Sequence, residues 1–228
     1  SQLLSPGCPA FYGAIAGNAD MKSLRPRFGM PETRIIQRAG IQMGRMYGLA
    51  CRTDAGLTDA PGYDFQSGAQ AMLSVLGIVQ DGPRFVPGCG LLGSYMGGSL
   101  AKIILDAELI NIANRYLSPV KIDKSTLAAD VIEEVGPGGS FITHSHTLEN
   151  FRREFAPDRL FSSPDYERWR MDGRRDAAHF AREKASKVLE SYQMPPMDQG
   201  MKEEIDASIR TTGEGVSTGP WSTELLAP

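Results

Sequence analysis

Residues 9–147 alternate short apolar runs with helix-length apolar stripes, and glycine or proline punctuates each change of pattern. No other feature constrains the fold as strongly, because strand, helix and strand in succession build a parallel sheet. The first run, 9–13 (PAFYG), ends at a glycine. Pro31 then stands at a first helical position, and Ile35, Ile36, Ala39, Met43 and Met46 follow at helical spacing until Gly48. A second run, 49–53 (LACRT), precedes Asp64, a candidate cap for a helix with the stripe Phe65, Ala69, Met72, Leu73, Leu76 and Val79. The third run is 84–87 (RFVP). Ser99 opens a helix carrying Leu100, Ile103, Ile104, Ala107, Ile110 and Ala113. A shorter helix through Leu127, Val131, Ile132 and Val135 leads to the fourth run, 140–143 (SFIT).

This is the pattern of a (β/α) TIM-type barrel, in which function sits on loops at the strand C-termini. Eight strands close such a barrel and about 250 residues is typical, whereas 228 residues here hold four strand runs. The expectation is therefore an α/β half barrel of about four βα units over 1–147. A helical appendage over 148–212 and a flexible Gly/Ser/Thr-rich tail over 213–228 follow it.

Composition removes several function classes. A net charge of −3, from 24 Lys+Arg against 27 Asp+Glu, argues against a dedicated nucleic-acid binder. No stretch has the length and apolarity of a membrane span, and no signal-peptide pattern opens the sequence. Cys8, Cys51 and Cys89 form no CxxC pair and fit reduced thiols in a cytoplasmic protein.

Chemistry concentrates after the strand runs. Arg52, Thr53 and Asp54 stand at the end of the second run, so Asp54 and Asp59 could position a substrate or balance a cation; either could equally be a turn former or helix cap. Tyr12, Tyr63, Phe65 and Tyr95 lie in or beside strand-end loops, where aromatics around one pocket suit a quaternary ammonium. Gly88, Gly90 and Gly93 read as GxGxxG, but the loop runs on to Gly98 before the helix begins, a poor match to a dinucleotide fingerprint. The alternative is that these glycines let the loop pass close to a bulky ligand or a neighbouring backbone. Gly136-Pro137-Gly138-Gly139 reads better as a tight helix-to-strand turn than as an anion nest. His144 and His146 would point to one face of a strand and could chelate a metal. The only other histidine, His179, falls in the helical tail, so the favoured reading has His146 or Thr147 capping the next helix and His144 facing the pocket.

The blocks PGCPAFYG, MYGLACRTDAG, DAPGYDFQSGAQAM, GCGLLGSYMGGSLAKIILDAELI, EEVGPGGSFITHSHTLENFRRE and YERWRMDGRRD together resemble the trimethylamine methyltransferase family. The resemblance runs from Pro6 to about Tyr192, and the last two blocks are the most specific. It implies a (β/α)8 barrel enzyme, here its C-terminal half, that moves a methyl group from a methylated amine to the Co(I) of a separate corrinoid protein. Archaeal trimethylamine enzymes of the family carry pyrrolysine; every residue here is standard, which places the resemblance in the branch that includes glycine betaine demethylases.

On that reading His144 and Asp54 are the catalytic candidates, and Tyr12, Arg52, Tyr63, Phe65, Tyr95 and His146 contact substrate. Gly88, Gly90 and Gly93 would let the corrinoid approach. No cofactor is expected to bind this chain tightly: none of its histidines stands in the Asp-x-His-x-x-Gly loop of corrinoid carriers, so the corrinoid comes on a partner. No resident metal is expected. Open sheet edges also imply a homo-oligomer, and the alternative function is a non-catalytic half barrel that self-associates.

Overall fold

The computed structural model describes residues 6–155, 160–161, 164–193 and 195–213. The expected tail beyond 213 lies outside the described residues. The chain divides into two compact units, Ser1–Lys184 and Ala185–Pro228.

The first unit begins with β1 (Phe11–Gly13), which reaches a parallel partner, β4 (Ala50–Arg52), through a short hairpin and a helix. The hairpin is β2 (Asn18–Ala19) against β3 (Pro26–Arg27), turned by Asp20, whose carboxylate accepts from the Lys22 and Ser23 N–H groups. Helix α1 (Pro31–Met46) starts with its proline at the N-terminus, as the sequence predicts. Its Gly44 lets β4 approach: a Cβ there would lie 2.5 Å from Cys51 Sγ and 3.0 Å from the Tyr12 ring. Helix α2 (Phe65–Asp81) is capped by Asp64, which accepts from Ser67 N–H at 2.8 Å.

The chain then returns alongside β4. Arg52 and Phe85 form a parallel bridge, Thr53 N–H donates to Phe85 O at 3.2 Å, and Ala55 N–H donates to Pro87 O at 2.9 Å. Three segments thus lie in sequence order, β1, β4 and 84–87, joined by helices. The fold is a helix-dominated α/β arrangement with a short parallel strand pair, and no closed barrel forms among the described residues.

The glycine-rich loop folds into a hairpin, β5 (Leu91–Leu92) against β6 (Gly97–Gly98). Helix α3 (Leu100–Leu117) follows, capped by Ser99 as expected. It packs on α2, and Ala55, Ala71, Val75, Ile78, Leu109 and Ala113 form the larger core cluster. The fourth strand run does not form. After a turn closed by Gly139 N–H to Gly136 O, residues 141–144 themselves form a second turn, His144 N–H to Phe141 O, and Ile142 is 77% exposed. A segment bent in this way has no straight edge to pair.

The predicted shorter helix is two, α4 (Lys124–Leu127) and α5 (Ala129–Val135), separated at Ala128 with φ +48°. Then come α6 (Ser145–Glu154), α7 (Tyr166–Met171), α8 (Ala177–Ser191) and, within the second unit, α9 (Gln199–Gly213). No described helix is long and apolar enough to cross a membrane.

The helix faces differ from the apolar stripes. In α1 the buried side is Thr33, Arg34, Gln37, Ile41 and Gly44, while Ile35, Ile36, Met43 and Met46 are exposed. Arg34 pairs with the buried Asp81 of α2, and Arg38 joins at 3.1 Å. In α3 the buried residues include Lys102, Asp106 and Glu108. Polar contacts between elements, rather than apolarity alone, orient these helices.

Candidate functional site

Asp54 lies two residues beyond β4, at the C-terminal end of the parallel pair, and is 2% exposed. A carboxylate at that depth needs partners. One of its oxygens accepts the Tyr95 hydroxyl; the other lies 3.4 Å from the Arg52 guanidinium. Burial, then the hydrogen bond to Asp54, then the Asp54 charge hold the Tyr95 phenol well above its ordinary range, so Tyr95 is the donor at neutral pH. The Phe28 ring meets Tyr95 edge-on at 4.7 Å between centroids.

The loop that delivers Tyr95 is strained. Ser94 and Tyr95 both have positive φ, +57° and +73°, in a region that costs a non-glycine residue about 1 kcal/mol or more. Asp59 supports it: its carboxylate accepts from Ser94 Oγ at 2.6 Å and from the Phe28 and Gly29 N–H groups at 2.8 and 3.0 Å. One side chain thus ties the Phe28 segment to the loop that brings Tyr95 to Asp54. Of the two readings left open for Asp59, the turn-forming one is what these contacts describe, since they tie chain segments to each other.

Gly88 and Gly90 are needed by the chain itself. Gly88 has φ +98°, and a Cβ there would lie 2.8 Å from Asp54 Cβ. Gly90 has φ +91°, and its Cβ would run into Ile103. Only Gly93, in the hairpin turn, has nothing closer than 3.8 Å. Close backbone approach to Asp54 and to α3 therefore explains Gly88 and Gly90, and of the three only Gly93 has room beside it for an outside group.

The other candidate residues go elsewhere. Tyr63 OH meets Ser99 Oγ at the N-terminus of α3. The Tyr12 ring lies beside Gly40 and Gly44 of α1, on the helix side of the strand pair. Phe65, at the start of α2, is 92% exposed. His144, rather than His146 or Thr147, is the cap of α6: its Nδ1 accepts from His146 N–H at 3.1 Å, and its Nε2 lies 3.4 Å from Glu134. His146 Nε2 meets Ser125 O at 2.8 Å. Among the described residues no hydrogen bond or ion pair links either histidine to the Asp54 cluster, and no three His, Cys, Asp or Glu side chains converge as a metal site requires.

Sequence reading missed Phe28, Lys102 and Asp106. Lys102 and Asp106 did carry a signal, a Lys–Asp pair at i, i+4 within an otherwise apolar helix.

A strand-end carboxylate is thus held by a phenol and a guanidinium, with the Phe28 ring against that phenol, and this cluster is the candidate site. Comparison with known proteins gives the class more closely. Residues 1–216 match the sequence family described as Trimethylamine methyltransferase (MTTB), and the chain belongs to that family. It is 31% identical to a glycine betaine methyltransferase of Desulfitobacterium hafniense (strain Y51), over 95% of this chain and 45% of that protein. It is 30% identical to a proline betaine:corrinoid methyltransferase of Eubacterium limosum, over 89% of this chain and 42% of the relative. A trimethylamine methyltransferase MttB of Methanosarcina thermophila is 26% identical, over 91% and 43%. The chain spans less than half the length of these relatives.

Proposed function

We propose that this chain forms part of an enzyme that moves a methyl group from a quaternary methylated amine of the betaine class to a corrinoid held by a partner protein. The observation that carries the reading is the buried Asp54 carboxylate at the end of β4, with Tyr95 and Arg52 on its two oxygens. Relatives named for glycine betaine and for proline betaine and corrinoid support the substrate class and the partner.

A quaternary ammonium carries a permanent positive charge, which attracts Asp54 and the faces of Tyr95 and Phe28. As the N–C bond breaks, its electron pair stays on nitrogen and a neutral tertiary amine leaves. No proton is needed, so the site requires no general acid. The corrinoid supplies the nucleophile that accepts the methyl group; this chain binds and aligns the amine.

The partners on Asp54 also have a catalytic logic. Charge leaves the nitrogen in the transition state, so an unshielded carboxylate would hold the substrate more tightly than the transition state and slow the step. The Tyr95 hydroxyl and the Arg52 guanidinium spread the Asp54 charge and reduce that penalty. Arg52, with its side chain 38% exposed, keeps a free edge for a substrate carboxylate. His144 and His146 keep structural roles in this proposal, because their ring nitrogens serve the start of α6.

The same reading takes the ordered parallel segments and their helices, over 1–147, as part of a (β/α)8 barrel, with 148–212 as a helical appendage. The test is methyl transfer from glycine betaine by the natural polypeptide that contains this chain, with its corrinoid protein reduced, followed by loss of Co(I) absorbance. Asp54→Asn is expected to lower kcat/KM about a hundredfold. Unchanged kcat/KM in that variant would remove the assignment.

A further inference from the structure

We propose that Lys102 and Asp106 are a positioning pair that holds the two loops of the Asp54 site in register from their place on α3. The link to catalysis rests on the function proposed above; the geometry does not.

Lys102 and Asp106 stand one turn apart, their side chains 2% and 0% exposed. Two charges at that depth cost several kcal/mol each to desolvate, roughly offset by their attraction. A buried Leu or Met would fill the same helix face, beside Ala101, Leu109 and Ala113, without that cost. The pair's contacts show what charge does there that carbon cannot. Lys102 Nζ donates to Gly56 O at 2.9 Å and to Asp106 Oδ1. Asp106 Oδ2 accepts from Gly90 N–H at 2.8 Å. One loop thus offers a carbonyl and the other an N–H, and a single ion pair satisfies both.

Those two backbone groups are next to the site. Gly56 lies two residues after Asp54, and Gly90 two residues after Gly88, which packs on the Asp54 side chain. Gly56 and Gly90 have φ of +71° and +91°, a conformation open to glycine, and a Cβ on Gly56 would lie 2.6 Å from Asp106 Oδ2. The N-terminus of α3 holds the Gly90 loop again: Ser99 N–H donates to Gly90 O at 2.8 Å. The distance from Asp54 to Tyr95 is therefore set by two loops, both anchored on α3. Burial nevertheless pushes the Asp106 carboxyl above its ordinary range despite Lys102, so the pair is held at a cost.

The double variant Lys102→Met/Asp106→Leu removes both charges together and leaves neither unpaired. It is expected to fold, with methyl transfer reduced about ten- to a hundredfold in kcat. Tyrosine absorbance at 295 nm, differenced against Tyr95→Phe in each background, follows Tyr95 without any substrate. Its ionisation, suppressed in the parent protein, should move down toward ordinary tyrosine in the double variant. A folded double variant with unchanged Tyr95 titration overturns the proposal, whatever the activity. If the parent transfers no methyl group at all, the proposed function fails while the titration still decides the positioning role. Should the double variant not fold, Asp106→Asn is read by the same titration, and an unmoved Tyr95 there also overturns the proposal.

Discussion

Replacing Gly88 with alanine should cost far more than a methyl group ordinarily does, for two separable reasons. Gly88 has φ +98°, where an L side chain meets its own backbone, at a cost of about 1–2 kcal/mol. The new Cβ would also lie 2.8 Å from Asp54 Cβ and 3.1 Å from Ala55 O, and neither is the end of a flexible side chain that can swing away. Overpacking of that kind costs about 1–3 kcal/mol. Together Gly88→Ala should lose about 2–5 kcal/mol, which for a chain of this length lowers the melting temperature by about 5–15 °C. Gly97→Ala in β6 is the control, since Gly97 has ordinary φ and nothing within 4 Å of a built Cβ. Calorimetric melting of both variants checks the argument. Equal melting temperatures for Gly88→Ala and Gly97→Ala would refute it, because the close approach of this loop to Asp54 would then not exist.

Three further outcomes follow from the same contacts. Tyr95 is protonated in the folded state to higher pH than in the unfolded chain, so its contribution is full below about pH 10 and is lost as pH rises further. Urea unfolding at pH 9 and pH 11 should show a steeper fall for the parent protein than for Tyr95→Phe, and equal falls would contradict it. Asp81→Asn removes the charge facing the buried Arg34 guanidinium and should destabilise by about 3 kcal/mol in urea unfolding; a change under about 0.5 kcal/mol would mean that the pair carries no weight. His144→Ala removes the cap of α6 and should cost about 1 kcal/mol, with methyl transfer unchanged within about twofold; a large fall in kcat at full stability would return His144 to the reacting site.

The alternation of strand and helix was legible because chain punctuation is local: Gly13, Pro31, Asp64 and Ser99 act within a turn of themselves. Helix orientation was not. Ile35, Ile36, Met43 and Met46 form a good apolar stripe and yet face solvent, while Thr33, Arg34 and Gln37 face inward. Hydrogen bonds and ion pairs to Asp81, Arg27 O and Asn18 decide that face, and these partners lie 6 to 47 residues away in sequence. Asp54 was singled out as a candidate because a carboxylate just after a strand has a functional prior. Its partner Tyr95, 41 residues distant, appeared only as one of four loop aromatics. Phe28 and Asp59 meet at this site through a hairpin of two-residue strands, too short to leave a periodic signal.

The charges around Asp54 finally bear on which amine the site prefers. A simple methylated ammonium needs only a negative or aromatic surface, and Arg52 beside Asp54 weakens that attraction. A betaine carries its own carboxylate a few bonds from the ammonium, so the same guanidinium becomes a partner for it. Arg52→Gln separates the two cases. Loss of a charge-assisted hydrogen bond worth about 1.5–3 kcal/mol should raise KM for glycine betaine about ten- to a hundredfold. For tetramethylammonium, which has no carboxylate, KM should stay level or fall, because the variant leaves more of the Asp54 charge to the cation. A parallel rise in KM for both compounds would mean that Arg52 serves only to hold Asp54 in place and gives no preference for zwitterions.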